Sequence, residues 1–412
     1  MQYKRVLLER LLDKYEKSRA YTGQAKGSRR IMLKLLQGDF PEYDLENPEA
    51  RETINAVIRE YAAKELVDYN WLKHEEGNII EKVWLRLDSL QGAYSEIGRT
   101  PKGEIVDEIL GMVYQAQTEI SSEWIRQYLN ELQTGIEQKR SAQPHIPDDA
   151  EYAKTLLTAL KTIDKIGREE CLERVFSQKY LGDSKAFEKT VRKKVAAIIR
   201  KYLSDVSGAE TLTDEEALCS VGIVKAPEMF DFCGNLIAKL NDRTVDFSPF
   251  IYGAAINSKT ASEIEITGLN PVRRILFIEN KANYLDYIKK KEPDELIIYH
   301  GGFYSPLKGN FFRKLYYAGI KAGIEFLHWS DIDLGGFHLF VRLRDSIIPE
   351  LQPYLMDEAA FRSKKHLGMS FDDKYASSLE ALLEKPEYKI FHSVIGSMLK
   401  YRIRIEQEAF IL

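Results

Sequence analysis

The sequence predicts a multidomain chain, α/β plus α+β, whose C-terminal third is a parallel, Rossmann-like βαβαβ sheet and whose upstream part is mainly helical. Three observations carry this. Between residues 273 and 333, apolar runs of strand length alternate with helix-length amphipathic segments, the pattern of strands joined by crossover helices. Upstream, helical periodicity dominates and is interrupted by two β-rich runs. At 412 residues, 44% of them hydrophobic, the chain exceeds one small core and has the apolar content to fill several.

Composition narrows the function classes. The 59 basic and 63 acidic residues nearly cancel, so the net charge of −4 carries no whole-protein signal for nucleic acid and any such signal has to be local. Cys171, Cys219 and Cys233 form no C-x-x-C pair and no disulfide framework, which predicts a reducing, cytoplasmic setting. The charged start MQYKRVLLERLLDKYEK and the lack of an eighteen-residue apolar run predict neither a signal peptide nor a membrane span.

In chain order, residues 1–92 predict a winged-helix-like domain. Residues 1–40 carry ten Lys/Arg against four acids. ARETINAVIREYAAKEL (50–66) is an amphipathic helix, and VDYNWLKHEEGNIIEKVWLRL (67–87) is a hairpin turning at Glu75-Glu76-Gly77-Asn78. The basic start could face a phosphate backbone, although a solvated charged face is the commoner fate of such residues. Residues 93–150 predict a polar helical arm ending in SAQPHIPDDA (141–150), whose two prolines and Asp-Asp mark a linker. Residues 151–260 form the next domain. Its helix KTVRKKVAAIIRKYL (189–203) gathers Val191, Val195, Ile198, Ile199 and Tyr202 on one face and Lys189, Arg192, Lys193, Arg200 and Lys201 elsewhere. That suits either a helix tracking a nucleic-acid backbone or an ordinary solvated surface. DVSGAETLTDEEA (205–217) reads as a loop.

Residues 261–412 are the most informative. RRILFIEN (273–280), ELIIYHGG (295–302) and IEFLHWSDID (324–333) read as strands, separated by the helices KANYLDYIKK (281–290) and NFFRKLYYAGIKAG (310–323). In such a sheet the binding crevice lies beyond the carboxyl ends of the strands. Glu279, Gly301-Gly302 and Asp331/Asp333 all fall at that edge. If the strand persists, its period of two puts Asp331 and Asp333 on one side. Close carboxylates repel unless a cation lies between them, and oxygen-only ligands favour a hard ion such as Mg²⁺. Gly335 and Gly336 would then admit a phosphate backbone or permit a turn into FHLFVRLR. The competing reading has Asp331 capping a following helix and Glu279 in a surface ion pair.

Other polar residues carry weaker signals. His300, before Gly301-Gly302, could contact phosphate, though a histidine at a strand end is more often structural. His328 is expected to pack beside Trp329, and neither histidine belongs to a zinc-binding cluster. In the tail, Arg402, Arg404, Glu406 and Glu408 alternate with Ile403, Ile405 and Gln407, a strand pattern with Glu406 and Glu408 on one face.

LFIENKANYLDY, IIYHGGFYSPLKGNFFRKL, HWSDIDLGGFHLFVRLR and RIRIEQEAFIL resemble the C-terminal region of the JetD family, the nuclease subunit of Wadjet plasmid-defence systems. ERVFSQKYLGDSKAFE (173–188) resembles, more weakly, that family's counterpart of the winged helix in topoisomerase VI A subunits. The resemblance implies a C-terminal Toprim catalytic domain (261–412) preceded by a CAP-like winged-helix DNA-binding domain (151–260). It implies Glu279, Asp331 and Asp333 as catalytic residues chelating Mg²⁺ or Mn²⁺, and it puts Glu406-Gln407-Glu408 near the site, with Glu408 as an auxiliary ligand and a half-exposed edge strand as the ordinary alternative.

It further implies cleavage of plasmid or circular double-stranded DNA, a homodimer with two sites, and an SMC-like ATPase complex (JetABC-like) as partner. Arg174, Lys185, Arg192, Lys193, His300, Gly301 and Gly302 are the candidate DNA-binding residues, with local ion pairing as the ordinary alternative for Arg174 and Lys185. The topoisomerase relatives carry a nucleophilic tyrosine shortly after an arginine. Here Arg174 is followed by Val175-Phe176-Ser177-Gln178, with Tyr180 beyond. Without that tyrosine, metal-activated water is the expected nucleophile and cleavage is hydrolytic. Tyrosine-linked strand passage, primer synthesis and a non-catalytic DNA-binding module stay open as alternatives.

Overall fold

The computed structural model describes residues 2–23, 30–167, 169–203 and 212–411; Lys26 and Arg29 of the basic start, and 205–211 of the expected loop, lie outside them. The chain divides into two compact units, residues 1–120 with 126–157, and residues 121–125 with 158–412.

The first unit opens with α1 (Gln2–Glu16), β1 (Met32–Lys34), α2 (Pro48–Ala63), β2 (Val67–Trp71), β3 (Ile80–Leu85) and α3 (Leu90–Glu96). The strands pair antiparallel in the order β1-β3-β2, and the hairpin turns through Gly77 at φ +88°. Asn47 caps α2 by accepting from the Ala50 N–H, and Pro48 sits in the first turn, where its missing N–H is not needed. Leu7, Leu8 and Leu11 of α1 and Ile54, Ile58 and Tyr61 of α2 are buried in one core with Val67, Ile80 and Val83 of the sheet.

Part of the basic start is paired within this fold: Lys4 pairs with Glu60, Arg5 with Glu9, Lys14 with Asp39, and Arg10 takes both oxygens of Glu42. α4 (Lys102–Glu119) and α5 (Glu123–Lys139) form the helical arm, and α6 (Ala150–Ile166) follows. Between α5 and α6 the segment 141–150 is pinned. Asp148 accepts from the Ser141 hydroxyl and the Ala142 N–H, and Ala142 and Ile146 are buried.

The second unit continues through β4 (Cys171–Leu172), α7 (Glu173–Leu181), α8 (Arg192–Tyr202), α9 (Asp214–Cys219) and β5 (Ile223–Val224). Next come β6 (Met229–Cys233), β7 (Ile237–Leu240), β8 (Arg243–Asp246), β9 (Ala254–Asn257), α10 (Ser258–Glu263) and β10 (Glu265–Gly268). β7, β8 and β10 make a small antiparallel sheet. The segment that the sequence marked out follows as β11 (Arg274–Ile278), α11 (Lys281–Tyr287), β12 (Glu295–Tyr299), α12 (Pro306–Lys321) and β13 (Glu325–Trp329), then α13 (Leu334–Ser346) and β14 (Gln352–Pro353).

The main sheet has the order β14-β13-β11-β12-β6-β9. β11 pairs in parallel with both β12 and β13, whereas β6 and β9 are antiparallel additions. Residues 229–257, upstream of the expected boundary at 261, therefore supply two strands of this sheet. The register separates its faces: Phe277 lies level with Ile298 and His328, while Ile278 lies level with Tyr299 and Trp329. Phe312 of α12 meets Phe277, and Tyr284 and Tyr287 of α11 meet Tyr299 and Trp329, so the two crossover helices cover opposite faces. From β11 the chain passes to β12 on one side and returns across to β13 on the other. This opens a crevice at the carboxyl end of β11.

α14 (Glu358–Lys364), β15 (Met369–Ser370), α15 (Asp373–Leu383), α16 (His392–Tyr401) and β16 (Ile403–Arg404) complete the unit. The strand expected across 402–408 is shortened to β16 plus one antiparallel bridge between Ile405 and Ile332. Arg402 enters it at φ 56° and residues 407–410 wind into a 3₁₀ turn, which swings the tail under the carboxyl ends of the parallel strands. Among the described residues no helix is long and apolar enough to cross a membrane.

Candidate metal centre

Glu279 follows β11 directly. Its N–H donates to the Trp329 carbonyl at 3.0 Å, which extends the β11–β13 ladder by one residue. Its Oε2 accepts from the Asp331 N–H at 3.4 Å. Two strand ends thus bring the Glu279 carboxylate to the backbone of Asp331, 52 positions away in sequence.

Asp333 and Asp331 take different local partners. β13 ends at Trp329, and Asp333 caps α13 by accepting from the Gly336 N–H at 2.8 Å. Helix capping, considered for Asp331, belongs instead to Asp333. Gly335 and Gly336 lie inside the first turn of α13; a Cβ at Gly336 would sit 2.1 Å from the Asp331 carbonyl oxygen, so this position requires glycine. Asp331 Oδ1 accepts from the Gln407 N–H at 2.6 Å.

The tail adds two further acids. Carboxylate oxygens of Asp331, Glu406 and Glu408 lie within 4.8 Å of one another. Glu408 Oε1 accepts from Asn280 Nδ2 at 2.6 Å, and its Oε2 is buried without a hydrogen-bond partner. Arg404 supplies partial compensation, 3.7 Å from Asp333 and 3.5 Å from Glu406.

Burial first, then the charges of Asp331 and Asp333, push the Glu279 carboxyl up to about 8. Burial and then the Asp333 charge raise Asp331 against the opposing Gln407 N–H, and burial raises Asp333 against its capping Gly336 N–H. A cluster of oxygen-only donors that burial and mutual repulsion drive toward protonation, with one lone carboxylate oxygen buried, fits a hard divalent cation. Glu279, Asp331, Asp333 and Glu408 were all expected here from sequence. The resemblance also put Glu406-Gln407-Glu408 near the site but singled out Glu408 alone as a ligand; the local pattern did not reveal the Ile405–Ile332 bridge that brings the tail there.

The expected DNA-binding residues divide. Arg174 and Lys185 are exposed on α7 and the turn after it, and Lys193 is exposed on α8. Arg192 is withdrawn: it lies 3.1 Å from Glu173, 3.5 Å from Asp214 and 4.0 Å from Glu215. The acidic helix α9 and Glu173 of α7 supply the partners that the spacing of Arg192 on α8 could not reveal. His300 is corrected from a phosphate contact to a core residue. It is fully buried, stacked on Phe312 at 5.4 Å, edge-on to His328 at 5.1 Å, and its Nδ1 lies 2.5 Å from the Gly301 carbonyl. Burial holds it neutral, far below the usual imidazole range. Gly301 is buried at φ +69° and Gly302 is exposed, its missing Cβ facing Glu216.

The family model described as Wadjet protein JetD, C-terminal, matches residues 236–411. Over 418 residues the chain is 32% identical to Wadjet protein JetD of Bacillus cereus (strain Q1), covering 100% of this chain and 99% of that protein.

Proposed function

The chain belongs to the Wadjet JetD family, and we propose that within a Wadjet complex it is a metal-dependent endonuclease that cuts plasmid or other circular DNA by hydrolysis. The observation that carries this reading is the gathering of Asp331, Glu406 and Glu408 carboxylate oxygens within 4.8 Å of one another, with Glu279 accepting from the Asp331 N–H and Asp333 two residues further on at the start of α13. In this reading the main sheet is a Toprim domain, residues 151–260 hold a CAP-like winged helix, and 1–92 are winged-helix-like. The β1-β3-β2 order with flanking helices supports the last assignment.

Glu279, Asp331 and Asp333, with Glu406 and Glu408 from the tail, would hold Mg²⁺ or Mn²⁺. When bound, such an ion supplies neutralisation of phosphate-oxygen charge and acidity to a coordinated water. The chain's own contributions are distinct. Glu279 retains a proton near neutrality while its Oε2 accepts from the Asp331 N–H, and can release that proton as positive charge enters the site. Asp333 fixes the amino end of α13 while presenting its carboxyl to the cluster. Arg174, Lys185 and Lys193, exposed, are available for phosphate.

A water nucleophile is favoured because the expected tyrosine position is empty of one. Tyr180, the nearest, is half-buried with its ring 5.6 Å from that of Phe176. The partners of this reading are double-stranded DNA, an SMC-like ATPase complex and a second copy of the chain. The test is plasmid cleavage by wild type and Glu279→Ala, with and without the ATPase partner, read on denaturing gels for free 5′-phosphate ends. The reading expects metal-dependent cutting that falls at least about a hundredfold in the variant. Undiminished cutting, or DNA ends linked to protein, would overturn it.

A further inference from the structure

We infer that Gln407 is a positioning residue that sets the spacing between Glu279 and Asp331 from below the sheet. Its consequence for the metal rests on the nuclease reading; its structural part does not. Gln407 is polar yet fully buried, and its four hydrogen-bonding groups are engaged by two segments, residues 280–283 after β11 and 329–331 at the end of β13. Its backbone N–H donates to Asp331 Oδ1 at 2.6 Å. Its side-chain Oε1 accepts from the Asn280 N–H at 2.9 Å, one residue past Glu279. Its Nε2 donates to the Trp329 carbonyl at 3.2 Å, and its own carbonyl accepts from Asn283 Nδ2 at 2.7 Å.

The pattern has a geometric consequence. One side chain bonds to the ends of both acid-bearing strands, β11 and β13, while its backbone holds the Asp331 carboxylate. The Trp329 carbonyl is shared, since it also accepts from the Glu279 N–H. The tail is brought to this point by the Ile405–Ile332 bridge, and the register that seats Gln407 also places Glu406 and Glu408 on either side.

The chemistry demands an amide. A donor must meet the Trp329 carbonyl and an acceptor must meet the Asn280 N–H, which neither a carboxylate nor a thioether provides. Exposed surface offers no substitute partners at this depth, so each group left unpaired would carry its full desolvation penalty. Groups that hold metal ligands from outside typically tune affinity by roughly 10–100-fold.

The experiment compares the full chain as wild type, Gln407→Met, Asn283→Ser and Glu279→Ala. Amide hydrogen exchange without metal reads the clamp itself, and Mn²⁺ titration followed by electron paramagnetic resonance reads its effect on the site. Gln407→Met is expected to lose protection at Asn280 and Ile332 and to weaken Mn²⁺ binding about tenfold or more, while saturating Mn²⁺ restores most plasmid cutting. Asn283→Ser, which frees only the Gln407 carbonyl, should shift both readouts in the same direction and serves where the methionine variant does not fold. Unchanged exchange and Mn²⁺ affinity in the variants would overturn the positioning role. Failure of Glu279→Ala to alter Mn²⁺ binding or cutting would instead overturn the metal reading, leaving the exchange result to decide the clamp.

Discussion

At neutral pH the folded chain holds a proton at Glu279 that an unfolded chain would have released, because burial and two neighbouring carboxylates raise its affinity to about 8. The stability tied to that proton is fully present at low pH, below the ordinary glutamate value, and is lost as pH rises through the folded one. Asp331 and Asp333, raised in the same direction, add to the trend. The melting temperature of metal-free protein should therefore fall between about pH 5 and pH 8. Mn²⁺ should restore far more at pH 8 than at pH 5. Glu279→Gln should flatten the decline and raise the metal-free melting temperature at pH 8 while removing metal-dependent cleavage. Scanning fluorimetry across that range checks both, and a variant as steep as wild type would contradict the account. At this scale the sequence drew attention to Glu279, which directly follows β11, and to Asp331 and Asp333, which lie past the end of β13 rather than in a continued strand. For Glu406 and Gln407 it offered only a strand pattern and the family resemblance, because the partners that seat the tail lie about 75 to 130 positions away in the chain.

Elements were legible where local chemistry and the global fold agree. The alternation through 273–329 returns as β11, α11, β12, α12 and β13, and α12 begins four residues before its expected start because Ser305 caps it and Pro306 fits its first turn. α13 entered only through the competing reading, as a helix capped by Asp331, for a physical reason. Gly335-Gly336 weakens helix propensity, and tertiary crowding overrides it: only glycine lets the helix start against the Asp331 carbonyl. Gly336→Ala should lower stability by about 2 kcal/mol or more and lengthen the distance between Asp331 and the α13 terminus. Denaturant unfolding, compared with Gly111→Ala on the open face of α4, checks it; equal effects would refute the close-approach argument. The tail misled for the opposite reason, since a sound period-two pattern continued past the point where one backbone bond to Asp331 turns the chain.

On the scale of the whole molecule, the single Toprim-like site proposed here serves one DNA strand, so a double-strand cut calls for two copies. Light scattering should give twice 47.5 kDa, and a monomer at working concentration would remove the homodimer from the proposal. With Arg192 held by Glu173 and Asp214, sequence-independent DNA affinity should rest on Arg174, Lys185 and Lys193. Reversing all three should weaken binding at least about tenfold and flatten its salt dependence, whereas Arg192→Ala should chiefly destabilise the fold. The account as a whole turns on acidic groups from β11, the end of β13 and the tail sharing one divalent ion. Crystals soaked in Mn²⁺ and measured at the manganese edge test this most directly. An anomalous peak is predicted within about 2.3 Å of carboxylate oxygens from Glu279 or the tail and from Asp331; a peak elsewhere, or none at saturating Mn²⁺, would contradict it.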